Sequence, residues 1–271
     1  MPKLPEAKGG LHYEVIDFVA PWHKNPQTIV FHHGAGSISG MWAEWIGVLG
    51  DKYRIVTFDF RGMGKSAHAK HDKGWSFEQS ADDVVAVADA VGIDRFHFVG
   101  ESYGGTVGLM LGLRHKSRVR TLTISNAAHI GSRIGNIEEW ERTLRKPGGA
   151  LEWSKGMMKD RFYPDQVSPE LWAWYEEQQA SHPIDSIIDA RKTLVDADLS
   201  ERLKEIDTPT LLLHGDASPF VSVALMSDMK SRLPNAELQI FAHAKHGVPV
   251  AYARRCARVL RAFLDRQHQR A

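Results

Sequence analysis

An apolar run, Phe96-His97-Phe98-Val99, leads straight into Gly100-Glu101-Ser102-Tyr103-Gly104, and a helix-forming run, Thr106 to Arg114, follows at once. A G-x-S-x-G met in any glycine-rich loop says little. Placed between a strand and a helix, it reads as a nucleophile elbow. Such a turn holds Ser102 in a strained backbone conformation, with Oγ exposed at the end of the strand. Gly100 and Gly104 are required there because side chains would clash across the turn. This context demands a sheet whose strands end at a common edge, each followed by a helix.

The rest of the chain meets that demand. Leu11–Val19, Gln27–His32, Tyr53–Phe60, Val119–Ile124, Pro209–His214 and Leu238–Phe241 read as strands, rich in β-branched and aromatic residues. Met41–Leu49, Ser76–Val91 and Tyr252–Leu264 read as helices. The apolar face of the second is Val84, Val85, Val87, Ala88 and Val91. Strands separated by helices predict a mostly parallel sheet covered on both faces. Residues 131–206 break the alternation. They hold Trp140, Trp153, Trp172 and Trp174, and read as helices punctuated by Pro147-Gly148-Gly149, Tyr163-Pro164-Asp165 and His182-Pro183. We therefore expect an α/β core over residues 1–130 and 207–271, with a helical lid over 131–206 inserted between two strands. A plain helical subdomain stabilising the sheet edge is the alternative.

The chain has 271 residues, with 34 Lys and Arg against 33 Asp and Glu. A net charge near +1 gives no electrostatic reason to expect nucleic acid or an anionic membrane as partner. No apolar run approaches the ~20 residues of a membrane helix. The start, Met-Pro-Lys-Leu-Pro-Glu-Ala-Lys, lacks the apolar core of a signal peptide, so a cytoplasmic location is expected. Cys256 is the single cysteine and excludes an intramolecular disulfide. It shares a helical face with Val259, Leu260, Phe263 and Leu264, which predicts a buried small hydrophobe. No metal site is readable. His32 and His33 are adjacent and point apart on a strand, and His68, His71 and Asp72 read as a solvated loop.

A serine hydroxyl needs a base to take its proton and donors to hold an oxyanion. Three segments offer these. His32-His33-Gly34-Ala35-Gly36 follows a strand and opens a loop whose N–H groups can face the elbow. His243-Ala244-Lys245-His246-Gly247 follows the last strand, with His246 the better base and His243 the reserve. The loop Gly215-Asp216-Ala217-Ser218 sits where an orienting acid belongs.

With these segments in place, the chain resembles the α/β-hydrolase superfamily over nearly its full length. Asp59-Phe60-Arg61-Gly62-Met63-Gly64-Lys65-Ser66 matches that superfamily's D-x-R-G-x-G-x-S turn, which is expected to fix backbone geometry below the site. Within it the chain looks most like 3-oxoadipate enol-lactonase-like hydrolases. The carriers are Met41-Trp42, Ser125-Asn126-Ala127-Ala128-His129-Ile130-Gly131, and Asp196-Ala197-Asp198-Leu199 through to Pro209-Thr210-Leu211. The resemblance implies a serine hydrolase acting on a small ester or lactone without a cofactor. Ser102, His246 and Asp216 would be catalytic, with the N–H groups of Ala35 and Tyr103 as oxyanion donors.

Two features depart from the family. Its acid lies three residues after the glycine, where this chain has Ser218, while Asp216 lies one after Gly215. Either the loop brings Asp216 to the histidine or the usual acid is missing, and the loop after Ile124 offers Asn126 rather than a carboxylate. The histidine loop also lacks the family's acidic-Pro ending. Other functions stay open on the same fold: a C–C bond hydrolase, a cofactor-free oxygenase in which a histidine deprotonates the substrate, or a ligand-binding protein with weakened turnover.

Overall fold

The computed structural model describes residues 9–69, 74–135, 137 and 139–269. His71 and Asp72 lie outside the described residues, and His68 is exposed. The strands are β1 (Tyr13–Ile16), β2 (Thr28–His32), β3 (Arg54–Phe58), β4 (Phe96–Glu101), β5 (Val119–Ser125), β6 (Thr210–Gly215) and β7 (Ala236–Phe241). They form one sheet in the order β1-β3-β2-β4-β5-β6-β7. β1 pairs antiparallel with β3 and every other neighbouring pair is parallel.

The helices are α1 (Ala43–Leu49), α2 (Phe77–Ala90), α3 (Tyr103–Arg114), α4 (Trp140–Leu144), α5 (Gly149–Arg161), α6 (Pro169–Ala180), α7 (Ile184–Val195), α8 (Val223–Arg232), α9 (Val248–Ala251) and α10 (Ala253–His268). Strand alternation sends side chains to two separate cores. Val30, Val56, Phe98 and Leu212 pack toward α2, α3 and α8. Ile29, Phe31, Ile55, Leu211 and Leu213 pack on the other face with Trp45 and Leu49 of α1 and with Leu260 and Phe263 of α10. β2, β4 and β6 are buried throughout, as their continuous apolar runs require. No described helix is long and apolar enough to cross a membrane.

The element boundaries shift where local chemistry overrides periodicity. β1 stops at Ile16, short of the expected Val19, where its pairing with β3 ends opposite Ile55. The first expected helix splits into a 3₁₀ turn, Ser39–Trp42, and α1. α2 starts where Ser76 Oγ accepts the Gln79 N–H at 3.2 Å. Cys256 is buried among α10's apolar residues, with its thiol pKa pushed up by burial, so it is a packing residue.

The helices α4 to α7 stand between β5 and β6. The chain leaves and re-enters the sheet through a neck where Ile130 pairs with Asp198 in an isolated antiparallel bridge. The Leu199 N–H donates to the His129 carbonyl at 2.8 Å and the Gly131 N–H to the Ala197 carbonyl at 2.7 Å.

The Asp59–Ser66 turn is a backbone clamp. Asp59 accepts the N–H groups of Ser39 at 2.8 Å and Lys65 at 2.9 Å, and Ser66 Oγ accepts the His12 N–H at 2.8 Å. Gly62 and Gly64 take φ of 80° and 49° within it.

Candidate active site

Parallel register brings the C-terminal ends of the central strands to one edge. His32 of β2 stands opposite Gly100 of β4, and Glu101 opposite Ser125 of β5. The loops after β2, β4, β5, β6 and β7 therefore meet there.

Ser102 has φ 53° and ψ −114°, the strained conformation expected of an elbow. Its N–H donates to the Ser125 carbonyl at 2.8 Å, which ties the turn to the neighbouring strand. A Cβ on Gly100 would run into the Gly104 carbonyl, and one on Gly104 would lie 2.5 Å from His32 Nδ1 and 2.6 Å from the His32 carbonyl oxygen. The Tyr103 side chain turns into the core, stacks on Phe60 at 5.0 Å and bonds Ser80 Oγ at 3.0 Å. Its backbone N–H stays in the first turn of α3, where helical N–H groups lack intrahelical partners.

The loop after β2 is fixed by its histidines. His32 Nδ1 faces the His33 carbonyl at 2.8 Å and His33 Nδ1 faces the Gly34 carbonyl at 2.9 Å. A carbonyl only accepts, so both Nδ1 atoms carry the proton. His33 Nε2 then accepts the Phe60 N–H at 3.1 Å. These are neutral structural rings, and burial holds both pKa values low, that of His32 at about 3.

Ser102, Ala35, Asn126, Arg161 and His246 line one pocket, together with Ile134, Ile137, Trp140, Met157, Leu194, Phe220 and Val221. The cavity is narrow, with a volume of ≈ 20 Å³. His246 is buried, and its ring meets Phe220 edge-on at 4.8 Å. Nδ1 lies 3.0 Å from Ser218 Oγ. The backbone is pinned on both sides: the His246 N–H reaches the Asp160 carbonyl at 3.3 Å, and its own carbonyl accepts Asn126 Nδ2 at 2.6 Å. Burial, then the Arg161 charge and His214, hold the imidazole well below the usual histidine range, so it is neutral at neutral pH. Among the described residues, no hydrogen bond joins it to Ser102 Oγ.

The expectation that Asp216 orients His246 is not met. Its exposed carboxylate accepts the Ala244 and His243 N–H groups, each at 3.0 Å, and those donors hold its pKa low. It braces the histidine loop from outside the pocket. Ser218 occupies the place beside Nδ1. The reserve base, His243, is also exposed, with its ring stacked on Tyr163 at 4.3 Å. Asn126, at φ 49°, spends Oδ1 on His214 Nδ1 at 2.7 Å and on the Gly215 N–H at 3.2 Å.

Two residues escaped the sequence reading. Glu101 is 0% exposed and Arg161, at the end of α5, is 2% exposed. Arg161 Nη1 donates to Glu101 Oε1 at 3.1 Å, Nε to Gln179 Oε1 at 3.0 Å and Nη2 to the Ala35 carbonyl at 3.4 Å. Burial pushes the Glu101 carboxyl above its ordinary range, against the pull of Arg161 and of the Gly34 N–H. A carboxylate next to the elbow serine was visible in the sequence. Its cationic partner, 60 residues away, was not.

The profile of the alpha/beta hydrolase fold family matches residues 27–171. The chain belongs to the α/β-hydrolase family. The 3-oxoadipate enol-lactonase 1 of Acinetobacter baylyi is 28% identical over 204 residues, 74% of each chain. A protein of Pantoea ananatis named "Putative carbamate hydrolase RutD" is 25% identical over 262 residues, 95% of this chain and 94% of its own. The enol-lactonase structure from Burkholderia xenovorans superposes with a TM-score of 0.83 at 24% identity, covering 94% of this chain and 96% of that one, and shows the shared fold. This α/β-hydrolase is thus similar to enzymes named for hydrolysis, and it is itself a hydrolase.

Proposed function

We propose that this α/β-hydrolase cleaves a small carboxylic ester or lactone through an acyl-enzyme on Ser102. The observation that carries the reading is Ser102 held at positive φ on the elbow, with His246 and the Ala35 loop lining the same pocket. Ser218 Oγ accepts the His246 Nδ1 proton, which leaves Nε2 as the free base. Nε2 takes the Ser102 proton as Oγ attacks the carbonyl carbon, and the N–H groups of Ala35 and Tyr103 hold the oxyanion. The imidazolium returns the proton to the departing alkoxide oxygen. Water, deprotonated by the same nitrogen, then releases the acid and restores Ser102.

The apolar lining suits a small acyl or ring group. The names of the enol-lactonase relatives favour a lactone. A carbamate would pass through the same steps more slowly, because its carbonyl is less electrophilic. Helices α4 to α7 act as the lid. Their side chains Trp140, Met157, Arg161 and Leu194 line the narrow pocket beside Ser102, so substrate enters as these helices part from the core.

Intact mass after brief exposure to a fluorophosphonate tests activation of the serine. One adduct on wild type and none on Ser102→Ala is expected. No adduct on wild type would overturn the reading.

A further inference from the structure

The geometry leaves His246 without the acid that its role calls for. Ser218 beside Nδ1 is uncharged, Asp216 is committed to two backbone donors, and Asn126 is an amide committed to the histidine and β6 loops. Among the described residues, the carboxylate within ion-pair distance of the ring is Glu101, with Oε1 3.7 Å from Nε2. It is fully buried, and Arg161 fixes Oε1 while Oε2 lies against Gly34. Gly34 lacks a side chain because Oε2 occupies the space a Cβ would need.

We propose that Glu101, held in place by Arg161, is a positioning residue that supplies the negative charge of the missing acid, from the nucleophile's side of the ring. The proposal rests on the serine-hydrolase reading. When Nε2 takes the Ser102 proton, a positive imidazolium forms in a pocket from which water is excluded. Glu101 stabilises that charge across 3.7 Å, and no proton passes to it. A purely structural pair would gain little, because burying two charges costs about as much as their attraction returns.

Arg161 serves the same assembly. Its side chain reaches the Ala35 carbonyl and Glu101, and its own carbonyl accepts the Gly247 N–H at 2.9 Å. One residue at the end of α5 thus touches the oxyanion loop, the elbow and the histidine loop.

The charged and titratable groups around His246 are Glu101 from β4, Arg161 and Asp160 from α5, His214 from β6, Asp216 beyond β6, and His243 and Lys245 in its own loop. Glu101 and Arg161 bring opposite charges to the ring's surroundings, which supplies the test. Turnover of a chromogenic acetate ester is followed against pH in Glu101→Gln, Arg161→Gln, the double variant of these two, and Glu101→Gln combined with Ser218→Asp, with circular dichroism at each pH so that only the folded range is read. The base must be neutral, so the rate falls as pH drops through the pKa of His246.

Glu101→Gln removes the anion and leaves the Arg161 charge. The acid limb is expected to move to lower pH and kcat to fall about 10- to 100-fold, less than the ~10⁴ of a lost triad acid because Ser218 still holds the ring. Arg161→Gln is expected to move the limb to higher pH. Ser218→Asp, which restores an acid beside Nδ1, is expected to suppress the loss in Glu101→Gln. The double variant carries a neutral pair that replaces the buried charges. It is expected to keep the wild-type circular dichroism and still turn over as slowly as Glu101→Gln. A fixed limb in both single variants, no rescue by Ser218→Asp, or wild-type kcat in the double variant would overturn the proposal. Failure of wild type to label with fluorophosphonate would fall on the serine-hydrolase reading instead.

Discussion

At the residue scale, Asp216 and Ser218 show how two positions in one loop divide work that a family pattern gives to one. Asp216 faces outward and satisfies two N–H groups, while Ser218 faces the ring. Asp216→Asn is therefore expected to change kcat less than about threefold, where loss of a triad acid costs ~10⁴. Steady-state turnover checks this, and a thousandfold loss would place Asp216 in the reaction. Gly104 makes a second prediction. A methyl at this position meets the Nδ1 and carbonyl of His32, which cannot withdraw without moving β2. Gly104→Ala is expected to destabilise by about 3 kcal/mol or more, measured by urea unfolding. The sequence showed Gly104 as necessary through its motif. It did not show Glu101 meeting Arg161, because that contact depends on how α5 docks onto the elbow.

At the scale of elements, the strands and helices of the sheet were legible because burial on both faces writes long apolar runs such as Ile29-Val30-Phe31 and Leu211-Leu212-Leu213. Their ends were less so. β1 is short since it pairs only with β3 and ends with its partner's register, a tertiary fact. The helices between β5 and β6 were legible as helices through their proline and glycine punctuation, but their packing over Ser102 was not, because amphipathic faces do not name their partners. α1 offers a clean test of local propensity against packing. Gly47 lies within it, exposed, and a Cβ there would meet nothing within 4 Å. Gly47→Ala is expected to stabilise by about 0.5–1 kcal/mol, with activity unchanged. A loss in thermal melting temperature would show that the helix is strained in a way its backbone does not reveal.

At the scale of the whole molecule, buried neutral histidines set the response to acid. Burial lowers His32 and His97 to about 3 and His182 and His214 to about 4, each from 6.5. The unfolded chain binds these protons first, so stability is complete above about pH 6.5 and is lost as pH falls toward the folded values. Near pH 5 each ring costs ~2 kcal/mol, and the four together ~8, a large part of an ordinary ~5–15 kcal/mol stability. Cooperative unfolding between about pH 6 and pH 4 is expected by circular dichroism, and a native spectrum at pH 3 would contradict it. The same burial keeps His246 neutral, as the proposed base must be. The central claim is that Ser102 carries the acyl group despite the missing acid. Acid quenching within the first turnover of a p-nitrophenyl ester, followed by intact mass and peptide mapping, tests it most directly. One acyl group on the peptide containing Ser102, absent in Ser102→Ala, is the predicted result. Product released with no acyl group on the protein, or the same rate in Ser102→Ala, would contradict it.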